Sequence, residues 1–221
     1  MKVVCLIPAR GGSKRIPNKN LMLLNGKPLI QHAVEKANKC RLIDEVYVST
    51  EDDTIGRIAS KSNAMHFIRP KELSGDKTTT EEVMLHFASS FIDFDYIVLF
   101  ECTFPLTTVD DIYHLVCMSK VRGGLHDSVL SLKRTKDFIW SNNHGGSVQP
   151  DSYPIGCSPR TQDFSGILIE SGGLYITSYD KLMKSKARVS EPIGFFELDH
   201  PSIEIDTMDD FKMVEALMNG K

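Results

Sequence analysis

The chain has 221 residues, 41% hydrophobic and 25% charged, with a formal net charge of -3. That length can bury one sizeable core, and the slightly acidic balance argues against a general nucleic-acid binder, which would be strongly basic. No apolar run reaches the roughly 18 residues of a membrane span, and Cys5, Cys40, Cys102, Cys117 and Cys157 include no CxxC pair suggestive of zinc or a disulfide framework. The N-terminus enters an apolar run by Lys2 with no signal peptide in view. The expectation is a cytoplasmic protein, a single domain over residues 1–221, with neither nucleic acid nor membrane among its partners.

In chain order, Val3–Ile7 is an apolar run bounded by Pro8 and predicts a buried strand. A polar loop follows, and helical spacing resumes over Leu29–Cys40. Glu45–Ser49 predicts a strand, and Asp52–Ser62 a helix whose acidic first turn suits the helix dipole. Met65–Ile68 is a short strand ending at Arg69-Pro70, and Thr80–Phe91 a helix capped from among Thr78, Thr79 and Thr80. Tyr96–Phe100 is the most apolar strand and is expected at the centre of the sheet. Thr108–Lys120 predicts a helix and Ser128–Leu132 a strand. Such alternation implies βαβ units and an α/β fold of three layers around a mostly parallel sheet.

The rhythm breaks between Arg134 and Gly166, a polar stretch holding Asn142-Asn143, Gly145-Gly146, Pro150, Pro154 and Pro159. So long a connection in a compact domain is often functional, and an inserted arm with a hairpin is expected at about 134–170. Regular patterning returns with a strand at Gly173–Thr177, a helix at Tyr179–Lys184, a strand near Phe195–Leu198 and a last helix over Met208–Met218.

The loop Ala9-Arg10-Gly11-Gly12-Ser13-Lys14-Arg15-Ile16-Pro17-Asn18-Lys19-Asn20 carries the chemistry. It stands between a strand and a helix, where α/β folds bind phosphates. Arg10, Lys14, Arg15 and Lys19 supply charge, Ser13 and Asn20 neutral donors, and the Gly11 and Gly12 amides can approach an anion closely. The plain alternative is a solvated basic turn. The loop is neither a P-loop nor a G-x-G-x-x-G fingerprint, so a nicotinamide-dependent oxidoreductase has little support.

Ala9, Arg10, Ser13, Lys14, Lys19 and Asn20 match A-R-x-x-S-K-x-x-x-x-K-N, and the segment resembles the N-terminal signature of the acylneuraminate-type sugar-acid cytidylyltransferases. Later motifs follow in the same order. Arg69-Pro70 resembles an R-P reaching toward the nucleotide, and Glu101-Cys102-Thr103-Phe104-Pro105-Leu106 resembles Q-x-T-S-P-L, with Glu101 and Phe104 in place of glutamine and serine. Phe138-Ile139-Trp140 and Pro159-Arg160-Thr161-Gln162-Asp163-Phe164 fit further family patterns. Glu170-Ser171-Gly172-Gly173-Leu174-Tyr175 resembles E-N-G-x-x-Y with serine for asparagine, and Ser202–Thr207 resembles S-x-D-I-D-T with Glu204 for aspartate.

The resemblance implies a Rossmann-like nucleotidyltransferase fold and a reaction in which CMP passes from CTP to a nonulosonic sugar acid, releasing pyrophosphate. Arg10, Lys19 and Asp206 are the implied catalytic residues, and Ala9, Arg10, Gly11, Gly12, Ser13, Lys14, Asn20 and Arg69 the nucleotide-binding set. Glu101, Thr103, Arg160 and Gln162 would meet the sugar, Arg160 gripping its carboxylate. Strand alternation over Ser202–Thr207 would put Glu204 and Asp206 on one face to hold Mg²⁺, although Asp206 or Thr207 could instead cap the last helix. Similar enzymes are homodimers whose arm closes a neighbour's sugar site. Legionaminate, pseudaminate, ketodeoxynonulosonate and 3-deoxy-octulosonate remain alternative substrates, and an inactive nucleotide sensor the alternative function. His32, His86, His114 and His200 lack ligand spacing and are expected in surface or helix roles; Lys181, Lys184, Lys186 and Arg188 are expected on a solvated face; Phe195 and Phe196 are expected in the core.

Overall fold

The computed structural model describes residues 1–90, 93–143 and 145–220. Among them, the chain begins with β1 (Val3–Pro8), a hairpin of β2 (Leu23–Leu24) and β3 (Lys27–Pro28), and α1 (Leu29–Lys39). Then come β4 (Glu45–Thr50), α2 (Asp53–Lys61), β5 (Met65–Ile68), α3 (Thr80–Ser90), β6 (Tyr96–Phe100) and α4 (Val109–Met118). The second half holds β7 (Ser128–Thr135), β8 (Trp140–Asn143), β9 (Ser147–Pro150), β10 (Ile167–Ser178), α5 (Tyr179–Ser185), β11 (Ile193–Glu197) and α6 (Met208–Asn219). The expected end of the third helix, Phe91, lies outside the described residues.

The main sheet runs β11-β7-β10-β6-β1-β4-β5, with β6 in its middle as its composition requires. The β6-β1-β4-β5 block is parallel, whereas β10 is antiparallel to both neighbours. Alternation along the central strands makes the layers. Val3, Cys5 and Ile7 of β1 and Val98 and Phe100 of β6 join α1, α2 and α4 on one face. Val4, Leu6, Ile97 and Leu99 join Met84 and Phe87 of α3 on the other. Truncating Phe87, fully buried there, would cost about 3–5 kcal/mol. β1 is flanked by β4 on one side and β6 on the other, so the chain reverses direction across the sheet at its middle. Crevices at the carboxyl ends of such strands are where α/β sheets bind ligands.

Three local features depart from expectation. The β2–β3 hairpin was signalled by Asn25-Gly26, whose positive φ values of 48° and 78° make the tight two-residue turn. Ser202–Thr207 is not a strand: its amides find no neighbouring ladder, and Ile205 alone bonds across, to the Thr103 carbonyl at 2.9 Å. Phe195 is 44% exposed, so only Phe196 of that pair packs against the core. The expected hairpin within the long connection is present as β8–β9.

Candidate active site

The parallel strands deliver their ends to one cavity of about 540 Å³. β1 leads into the basic loop, β4 into Glu51, β5 into Arg69 and β6 into Glu101. Arg10, Ser13, Lys14, Lys19, Asn20 and Arg69 line the cavity together with Glu101, Thr103, Glu204 and Asp206.

The loop is held by its own sequence. Asn20 is buried, donates to the Arg10 carbonyl at 3.0 Å and accepts from the Cys102 thiol at 3.2 Å. Gly11 donates its amide to Glu51 Oε1 at 2.9 Å, so that amide braces the loop instead of facing an anion. A Cβ on Gly11 would lie 2.7 Å from Asp52 Oδ2, and this close approach is what requires glycine. Asp52 in turn caps α2, accepting from Thr54 and Ile55 amides at 2.7 and 3.0 Å. Ala9 is buried and bonded to the Ser49 carbonyl, a structural position. Gly12 has open space around it.

The cations are paired. Asp76 meets Arg10 at 3.1 Å and Lys14 at 2.5 Å, and the Lys14 ammonium holds its carboxyl below the usual range. Asp206 meets Lys19 at 3.2 Å and also Arg15. Lys19 is the most enclosed of the loop cations, 14% exposed, and its ammonium donates to the Ile205 carbonyl at 2.7 Å. Arg69 is buried, donating to Ser74 at 3.1 Å and to Glu51 at 3.4 Å; burial works against its charge and Glu51 supports it.

Carboxylates share the cavity with these cations. Burial and then the Glu204 charge push Glu101 up to about 7, while Arg188, Thr80 and Lys19 pull the other way. Burial and Asp206 likewise raise Glu204, which lies 3.5 Å from the Thr103 hydroxyl. Thr207, not Asp206, caps α6, accepting from the Asp210 amide at 3.2 Å, which leaves Asp206 facing the cavity. Glu204 and Asp206 flank buried Ile205, so both face inward even without a strand. Among the described residues no three His, Cys, Asp or Glu side chains are placed to hold a metal by themselves. Two carboxylates with neighbouring phosphates do fit Mg²⁺, which prefers hard oxygen ligands and shares its shell with substrate and water.

Two of the departures from the expected motifs have structural explanations. Phe104 packs on Gly172 and Gly173 at the bulge of β10, where Gly172 has φ 84° and a Cβ would meet the ring at 2.8 Å. Ser171 is buried and hydrogen-bonded to Ser131. Glu101 and Glu204, by contrast, face the cavity. Arg160 and Gln162 do not line it; both are exposed in the loop before β10.

Four participants escaped the sequence reading. Glu51 and Asp76, which brace and pair the basic loop, carried no signal beyond ordinary acidic residues beside turns. Arg188, expected on a solvated face, lies over the Tyr175 ring at 4.7 Å and pairs with Glu81 and Glu170, each at 3.2 Å. His200, likewise expected to be bland, bonds Asp111 at 2.8 Å.

A mostly parallel sheet whose strand ends present a cation-rich loop together with carboxylates is a nucleotidyltransferase-type architecture. Residues 4–124 match the family model described as cytidylyltransferase. A CMP-N,N'-diacetyllegionaminic acid synthase from Legionella pneumophila is 31% identical over 229 residues, covering 99% of this chain and 97% of its own. The chain belongs to the cytidylyltransferase family. N-acylneuraminate cytidylyltransferase A of Danio rerio is 29% identical over 96% of this chain, which spans 50% of that longer protein. In fold, the chain is similar to a CMP:2-keto-3-deoxy-manno-octonic acid synthetase complexed with CTP, with TM-score 0.75, 21% identity, and 100% and 99% of the two chains covered. No helix among the described residues is long and apolar enough to cross a membrane.

Proposed function

We propose that this chain transfers CMP from CTP to the anomeric hydroxyl of a nonulosonic, sialic-type sugar acid and releases pyrophosphate. The observation that carries the reading is the cavity whose lining brings Arg10, Lys14, Lys19 and Arg69 together with Glu101, Glu204 and Asp206. The sugar oxygen bonds to the α-phosphorus as the bond to the pyrophosphate oxygen breaks, and the hydroxyl proton leaves to solvent or a carboxylate. The protein's task is mainly positioning and charge neutralisation.

Lys19, fixed by Ile205 and Asp206, offers a preorganised cation to the phosphates. Arg10 and Lys14 exchange the Asp76 carboxylate for phosphate oxygens. Ser13 adds a hydroxyl, and Arg69 closes the nucleotide side. Mg²⁺, when bound, would be held by Asp206 and Glu204 with the phosphates and would neutralise phosphate charge. Thr103 and Glu101 face the sugar.

Residues 1–221 act as one domain with an arm at about 134–170, and the working form is a cytoplasmic homodimer. Trp140, Val148 and Ile155 of the arm are 50%, 59% and 81% exposed, an apolar surface suited to a second copy. Arg160 and Gln162 would then reach the neighbour's sugar. The test is pyrophosphate release from CTP with Mg²⁺ across acylneuraminate, legionaminate, pseudaminate, ketodeoxynonulosonate and 3-deoxy-octulosonate, with ATP, GTP and UTP as controls. Release with CTP and a nine-carbon acid is expected. CTP binding without release on any sugar would replace the transferase with a sensor.

A further inference from the structure

We infer that His200 is a positioning residue for this transfer, mounting the segment that carries Glu204 and Asp206 onto the connection between β6 and α4. The inference rests on the proposed transfer for its consequence, though not for its geometry. After Leu198 makes the last sheet bond, to the Leu132 carbonyl at 2.8 Å, the chain from 199 to 206 belongs to no strand or helix. Its cavity-facing carboxylates therefore depend on individual side-chain and backbone anchors.

Two anchors go to the neighbouring stretch that runs from the end of β6 into the first turn of α4. Ile205 donates its amide to the Thr103 carbonyl at 2.9 Å. His200 Nε2 lies 2.8 Å from Asp111 Oδ2, in the first turn of α4. Asp111 is buried, and the same Oδ2 accepts the Thr108 amide at 2.6 Å while the Asp111 amide bonds the Thr108 hydroxyl at 3.1 Å. That carboxylate is thus fixed by the cap of α4 and serves as an acceptor, so Nε2 carries the hydrogen. Lys133 adds a bond to the Ser202 carbonyl at 3.1 Å from the β7 side.

His200 itself does not line the cavity, so it acts through the carboxylates downstream. Glu101 and Thr103 stand at one end of the β6–α4 connection and Asp111 at the other. A segment bonded at both ends of that connection keeps Glu204 and Asp206 in register with Thr103 and Lys19. Freed at His200, it retains the Ile205 bond but gains freedom along its length.

The experiment compares wild type, His200→Ala and His200→Gln; glutamine places an amide N–H near the Nε2 position. Pyrophosphate release gives kcat and KM for CTP, and amide hydrogen exchange reads residues 202–206 against the rest of the chain. His200→Ala is expected to lose about tenfold in kcat with KM for CTP within about twofold, as for other residues that orient a site from behind. Exchange should quicken in 202–206 specifically, and His200→Gln should recover most of both. A folded His200→Ala protein with wild-type kcat and unchanged exchange in 202–206 would overturn the inference. So would a loss shared equally by the glutamine variant and spread as faster exchange over the whole chain, which marks a merely structural residue. If wild-type protein releases no pyrophosphate with any sugar, the transfer fails, and the exchange data alone still decide whether His200 positions the segment.

Discussion

The two sides of the proposed site, the cavity wall and the arm, are built differently. On the cavity side the loop and strand-end groups are held by bonds within the cavity wall: Asn20 to the Arg10 carbonyl, Gly11 to Glu51, Lys19 to the Ile205 carbonyl, Arg69 to Ser74. On the arm side, Arg160 and Gln162 ride an exposed loop outside the cavity lining. That loop's bonds are mostly local, from the Asp163 and Phe164 amides to the Arg160 carbonyl at 2.9 and 3.0 Å. Its aromatic cluster, in which Phe138 meets Tyr153 and Phe164 at centroid distances of 5.1 and 5.4 Å, folds the arm upon itself. Strand ends can preorganise a site within one chain, whereas an arm outside the sheet needs something to lean on.

The largest effect expected falls on the preorganised side. Lys19→Met removes a cation that is 14% exposed and already aimed by two acceptors. A loss of about 10²–10³-fold in kcat for pyrophosphate release is expected, the scale for deleting one preset electrostatic group. A loss under tenfold would mean that the enclosed cation is structural and the exposed ones do the work.

Glu101 lines the cavity, and pH should reveal it. Its ordinary value is 4.5 and its folded value about 7, because burial and Glu204 disfavour the charge. The folded state therefore holds an extra proton between those values. The associated stability is fully present below the lower value and disappears as pH rises through the upper one. Glu101→Gln should be more stable than wild type by about 1–3 kcal/mol at pH 8 and gain little at pH 4. Urea unfolding at both pH values checks this; an equal change at both would remove the buried charge as the cause.

On the arm, Arg160→Ala is expected to raise KM for the sugar about tenfold, the worth of one charge-assisted pair, with KM for CTP little changed. Mixing it with Lys19→Met then asks where Arg160 acts. In a two-fold dimer with Arg160 serving the neighbour, random mixing leaves one intact site in each mixed dimer, about a quarter of wild-type activity. No recovery on mixing would place Arg160 in its own chain's site or in none.

This division also explains what the sequence made legible. The unbroken apolar runs Val3–Ile7 and Tyr96–Phe100 encode strands buried on both faces, so the layers and the central strand could be read directly. The basic loop was legible because four cations and two glycines lie within one short segment. Its bracing was not: the Gly11 amide goes to Glu51, 40 residues away, and a Cβ at Gly11 would meet Asp52, contacts that no local pattern announces. Ser202–Thr207 misled because apolar alternation marks which side chains are inside, not whether a ladder partner exists. His200 and Arg188 were passed over because their partners, Asp111 and Glu81, lie far away in sequence.

Asp76 offers the smallest and most diagnostic change. It occupies Arg10 and Lys14 at 3.1 and 2.5 Å. Asp76 is 44% exposed and Lys14 79%, so water already screens much of the attraction. Incoming phosphates must displace this carboxylate, and the displacement works against binding by whatever the exposed pairs are worth. Asp76→Asn should therefore tighten CTP binding modestly, by about two- to fivefold, given how little exposed pairs contribute. The gain should shrink as ionic strength rises, since salt weakens the competing pair as it weakens the nucleotide contact. Titration calorimetry with CTP at low and moderate salt gives both numbers. Weaker binding in the asparagine variant would reverse the assignment, making Asp76 a contributor to the nucleotide site and not its competitor.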